Sequence, residues 1–131
     1  MKKNIGADLG AIVFGSCEKA DLSAAKSKMI TRNEALSVGK LFAEQIREQV
    51  DSEALIFVFG SAVKGTAHLG SDIDIAVVSK IFDGDFIREA GRVSSLAQSV
   101  CDEIEIHALA PFDWRMGDPH ILEIQKWGIK I

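Results

Sequence analysis

Gly60-Ser61, ten further residues and then Asp72-Ile73-Asp74 form the stretch whose residue types and spacing could do chemistry. Asp72 and Asp74 alternate with Ile73 and Ile75 in an apolar run, so on a strand both carboxylates point to one face. Two carboxylates held side by side repel and raise each other's pKa unless a cation sits between them. Mg²⁺ is the natural cation, because it takes hard oxygen ligands and combines one or two protein carboxylates with substrate phosphates. Gly60 lets the backbone turn and approach a ligand with no Cβ in the way. The Ser61 hydroxyl and its neighbouring N–H groups, at what reads as a helix N-terminus, suit a phosphate. Lys64 offers a positive charge to the same phosphate tail, and Ser71 either bonds a phosphate or supports the turn into Asp72. Gly-Ser alone is a common turn, and Asp-x-Asp alone often marks a solvated strand face. It is their fixed spacing, each in the strand context the chemistry needs, that favours a functional reading.

The flanking residues predict the elements that must position these groups. Thr31-Arg32-Asn33-Glu34 has the form of a capping box, and Ala35, Val38, Phe42, Ile46 and Val50 recur at helical steps to about residue 50. Ala54 to Phe59 is a continuous apolar run, expected to be a strand buried on both faces. Residues 60–71 read as a loop with one helical turn, and 72–78 as a second strand. Phe86, Ala90, Val93, Ala97 and Val100 mark a second helix, and residues 104–109 alternate as a third strand. Pro119 suits the first turn of a last helix that ends near Gly128. This order predicts an α/β (α+β) domain, a small mixed β-sheet flanked by helices.

Size and composition narrow the class. The 131 residues suffice for one domain with a real core, and 47% hydrophobic residues exclude a disordered chain. A net charge of -4 and a pI near 5.3 disfavour a dedicated nucleic-acid binder. No apolar run approaches the roughly 18 residues that span a bilayer. Cys17 and Cys101 are too few for a disulfide framework, and Cys101 reads as a small buried hydrophobe. A cytoplasmic protein is expected. The Met1-Lys2-Lys3 start faintly resembles a signal peptide ending at a lipid-modified Cys17, but Asp8 interrupts it. Met29 resembles a natural start, and residues 1–29 are expected to be an N-terminal extension of unknown role, with the domain over 30–131. Ile12-Val13-Phe14-Gly15-Ser16 echoes Phe57 to Ser61 but has no Asp-x-Asp behind it, so chance is the simpler account. Trp114 and Trp127 read as core or subunit-contact residues, and His68 and His120 as exposed. His107 shares a predicted face with Glu105, where a structural or solvent-facing role is the simpler reading.

With Gly60-Ser61 followed after ten residues by Asp72-x-Asp74, the chain from about Ile30 to Ile131 resembles the DNA polymerase-β-like nucleotidyltransferase superfamily, specifically its minimal (MNT) branch. The resemblance implies the nucleotidyltransferase fold and transfer of a nucleoside monophosphate, AMP from ATP, to a hydroxyl with release of pyrophosphate. It implies two Mg²⁺ ions held mainly by Asp72 and Asp74, and a third carboxylate on a later strand that helps deprotonate the acceptor. Glu105, flanked by isoleucines, is favoured for that third place, with Glu103 as the alternative. Both are glutamates where the family more often has aspartate. A shift of about 1 Å can cost on the order of 100-fold in rate, so catalytic competence is the point at issue. The acceptor implied is a HEPN-type helical partner protein in a toxin–antitoxin pair, and a homodimer completing the pocket is equally compatible. The rivals are nucleotidyl transfer to a small molecule such as an aminoglycoside, and a catalytically weak nucleotide-binding module.

Overall fold

The structure, a computed structural model, describes residues 29–131. The expected N-terminal extension, the echo at Ile12–Ser16 and the lipid-modification reading of Cys17 lie outside the described residues.

Helix α1, Arg32–Gln49, begins at the predicted capping box. The Glu34 N–H donates to Thr31 Oγ1 at 3.1 Å, and the Thr31 N–H donates back to Glu34 Oε1 at 3.0 Å. Strand β1, Leu55–Phe59, leads through a single-turn helix α2, Ser61–Lys64, and a loop to strand β2, Ile73–Val78. A 3-10 turn at Lys80–Asp83 precedes helix α3, Phe86–Val100, and strand β3, Ile104–Leu109. Two helices follow, α4 at Pro111–Met116 and α5 at Pro119–Trp127, and a short strand β4, Ile129–Lys130, closes the chain. The sheet runs in the order β3-β2-β1-β4. Strand β1 is antiparallel to β2 and β4, whereas β2 and β3 are parallel, so the predicted mixed sheet flanked by helices is what the chain forms.

One face of the sheet carries Ile56, Val58, Ile73, Ile75, Val77 and Ile104 into the main core, against α1 and α3. Gly39 lets α1 lie close on β1, since a Cβ there would stand 2.5 Å from Val58 Cγ2. Each large side chain buried in this layer contributes about 1.5–3 kcal/mol. The opposite face holds a smaller cluster of Phe59, Ala76 and Ile124, with Phe57, Leu109 and Trp114 against it. Trp114 stacks on Phe57 with ring centroids 4.8 Å apart, while Trp127 is exposed. Strand β1 is therefore not buried on both faces. Leu55 and Phe57 are only partly covered, because the second layer consists of the short α4 and α5 rather than long helices. Among the described residues, no helix is long and apolar enough to cross a membrane.

At the end of the sheet remote from Gly60, Ser79 is buried and its hydroxyl donates to Asp51 Oδ2 at 2.6 Å. The Glu53 N–H donates to the other carboxylate oxygen at 3.0 Å. Partial burial pushes the Asp51 carboxyl up, but the Ser79 and Glu53 hydrogen bonds and the Lys80 charge together hold it below its ordinary value. A folded-state pKa below the unfolded one gives stability that is full above the unfolded value of about 4 and is lost as pH falls through the folded value. At pH 7, Asp51→Ala should cost about 1–2 kcal/mol, the effect of orphaning a buried hydroxyl. Urea melts between pH 7 and pH 2.5 should show this difference between wild type and variant closing on acidification.

Candidate functional site

Strand alternation and register put the polar groups on the second face. In one row across the sheet Phe59, Asp74 and Glu105 are partners on β1, β2 and β3, and in the next row Ala76 partners His107. Asp74 thus stands directly opposite Glu105, with His107 one step along β3. His107 Nε2 lies 3.4 Å from Asp74 Oδ1 and 3.9 Å from Glu105 Oε2. One donor atom from each of the three residues falls within 4.8 Å of the others.

Gly60 makes room for this group. Its φ of 85° and ψ of -158° belong to a region open essentially to glycine alone. A Cβ there would meet Asp74 Oδ2 at 2.2 Å, so the bare Gly60 backbone forms one wall of the Asp74 carboxylate. Ser61 follows as the first residue of α2, where the Val63 and Lys64 N–H groups donate to Gly60 O at 3.2 and 3.1 Å.

The other predicted groups stand further off. Asp72 is exposed, one residue ahead of β2, and lies outside the three-residue group. Ser71 is buried, and its Oγ accepts from the His68 N–H at 2.9 Å while its own N–H donates to His68 O at 3.0 Å. That reciprocal pair pins the turn that feeds Asp72 into the strand. Lys64 is ion-paired with Glu123 on α5 and lies 6.0 Å from the centroid of the Trp127 ring. The hydrogen bond and charge of Lys64 hold the Glu123 carboxyl below its ordinary value. To reach a phosphate near Gly60, Lys64 must leave Glu123.

Of the two candidate glutamates, Glu105 is exposed and faces Asp74, whereas Glu103 is buried with Oε1 3.3 Å from Cys101 Sγ. Cys101 itself is fully buried. His107 sits within the group, where a structural or solvent-facing role was the simpler expectation. Its ring meets Phe59 edge-on at 4.8 Å and lies 5.2 Å from His120, whose own ring is 5.8 Å from Phe59. The signal in the sequence was the two-residue step from Glu105 on an alternating strand. The proximity of Asp74 and His120 depends on pairing that spacing does not encode.

A family model described as a nucleotidyltransferase domain matches residues 40–112, more than half of the 131-residue chain. The match spans Gly60, Asp72, Asp74, Glu105 and His107 and stops short of α5. No curated protein matches the chain.

Proposed function

The chain belongs to the nucleotidyltransferase domain family, and on that premise we propose that it is a minimal (MNT) member, transferring AMP from ATP to a hydroxyl on a partner protein. In this reading residues 30–131 are the transferase domain, residues 1–29 are an extension, and the protein works in the cytoplasm as the antitoxin of a HEPN/MNT pair. The observation that carries it is Asp74, held in register with Glu105 and walled by the Cβ-free backbone of Gly60.

The donor set fits a divalent cation, since two carboxylates facing each other on adjacent strands destabilise the sheet unless their charge is met. When bound, Mg²⁺ or a similar ion neutralises charge on the phosphoryl oxygens and lowers the pKa of the attacking hydroxyl. Asp74 and Glu105 would hold it, with Asp72 reaching in from the turn that Ser71 fixes. Gly60 and Ser61 let the triphosphate approach the backbone, and Lys64 exchanges Glu123 for a phosphate. The exposed Glu105 carboxylate takes the acceptor's proton as the new O–P bond forms and pyrophosphate departs. A protein acceptor is supported by Phe112, Met116, Leu122 and Trp127, exposed apolar side chains on α4 and α5 that a docked surface would cover. A second copy of the chain is the other occupant compatible with that surface.

Incubation with ATP labelled at the α-phosphate, Mg²⁺ and a candidate HEPN partner should place label on the partner. ATP binding by calorimetry with no label transferred, to that partner or to an aminoglycoside, would instead favour the nucleotide-binding module. The resting Lys64–Glu123 pair is the feature that favours that second reading.

A further inference from the structure

We infer that His107 is the third ligand of a metal site with Asp74 and Glu105, and that this site selects a first-row transition ion such as Mn²⁺ over Mg²⁺. The inference rests on the proposed reading of Asp74 and Glu105 as metal ligands and adds the nitrogen donor and the choice of ion.

All three side chains come from neighbouring β-strands rather than loops, so the sheet register sets their relative positions. For an ion about 2.1 Å from each donor, neighbouring donors stand about 3.0 Å apart in an octahedron and about 3.4 Å in a tetrahedron. The separations of 3.4 Å and 3.9 Å from His107 Nε2 to the two carboxylates approach those values. The third separation, between the Asp74 and Glu105 oxygens, is within 4.8 Å, so an ion bound there would draw the two carboxylates together. Phe59 edge-on and His120 alongside pack the His107 ring, while its Nε2 faces Asp74 and Glu105. His107 and Asp74 are each about three-quarters shielded, so neither is a free surface side chain that meets the other by chance.

The donor chemistry then decides the ion. Mg²⁺ takes hard oxygen ligands and gives up its waters reluctantly. Mn²⁺ also favours oxygen, but as the softer ion it accepts an imidazole beside two carboxylates more readily than Mg²⁺ does, and Fe²⁺ and Zn²⁺ accept one more readily still. An aspartate at position 107 would make an all-oxygen set and remove that preference.

The test uses the full chain with Mn²⁺ alone, read by pulsed electron paramagnetic resonance, and with Mg²⁺ as competitor. Wild type should show nitrogen coupling from a directly bonded imidazole, absent in His107→Ala and His107→Asp. The ratio of Mg²⁺ to Mn²⁺ dissociation constants should fall about tenfold or more in His107→Asp, where an oxygen ligand replaces the nitrogen, a change at least as large as that from losing an outer-shell partner. His107→Gln, closer in size to histidine, should also lose the coupling, and thermal melts of the variants verify that they are folded. Mn²⁺ bound without nitrogen coupling, and unchanged in affinity in folded His107→Ala, would leave His107 as a hydrogen-bond partner of Asp74 and overturn the inference alone. Asp74→Asn separates the two readings, for Mn²⁺ binding that survives it intact removes the carboxylate site and the inference together.

Discussion

Asp74→Asn should lower nucleotidyl transfer by about a thousandfold, near 4 kcal/mol of transition-state stabilisation, while the protein melts no earlier than wild type. Asp74 is the residue that the register sets against Glu105, that Gly60 walls and that His107 touches, so its charge underlies any cation binding there. The amide keeps the shape and loses the charge. Because like charges directly opposite on paired strands are unfavourable, removing one is neutral or stabilises the metal-free protein by about 0.5 kcal/mol. Activity and stability therefore move independently. Two measurements check this: label transfer from ATP, and a thermal melt with and without Mn²⁺. Added Mn²⁺ should raise the midpoint of wild type and leave that of Asp74→Asn in place. A variant that loses activity only because it unfolds would show the opposite pattern.

Gly60→Ala should be the most damaging single methyl group in the domain. The backbone there adopts φ 85° and ψ -158°, which costs an L-residue about 1–3 kcal/mol before any contact is counted. The new Cβ would also stand 2.2 Å from Asp74 Oδ2, so the carboxylate or the turn must move. A carboxylate displaced by about 1 Å loses on the order of 100-fold in rate. Chemical denaturation should show a loss of about 2–4 kcal/mol, and the folded fraction should bind Mn²⁺ weakly. Gly65, which also has positive φ but an open surrounding, provides the control. Gly65→Ala should cost stability through its φ and leave metal binding unchanged.

What could be read in the sequence was what neighbouring residues decide among themselves. The capping box at Thr31 and Glu34 sets the start of α1, and the periodic apolar residues carry it to Gln49. The alternation through Ile73, Asp74 and Ile75 puts the aspartate opposite the isoleucines, as β2 bears out. Pairing between distant segments was not legible. Nothing local states that β3 joins β2 in parallel with Glu105 opposite Asp74, and that register is what brings His107 into the group. Lys64 meets Glu123 on α5, far along the chain, so its position suggested a phosphate and not this ion pair. Helix α4 and strand β4 escaped for a different reason. Six residues between Pro111 and Met116, and two at Ile129–Lys130, are too short to show a period.

The slight strand β4 bears on how the face of the sheet can open. Only Phe57 with Lys130 and Val58 with Ile129 pair there, and beyond them the Ile131 N–H donates to Ile56 O while Arg47 donates to Ile131 O. Helix α5, which holds His120 near His107 and Glu123 on Lys64, is anchored by buried Ile121 and Ile124. The main core between the other face of the sheet and α1 and α3 contains neither residue. Segments with few buried contacts open at lower free energy than the whole domain unfolds. The amides of α5 should thus exchange with solvent by a sub-global excursion, well ahead of those in β1 and β2. Such an excursion would release Lys64 from Glu123 and uncover Phe59 with the main core intact, an opening that a melting curve would not register.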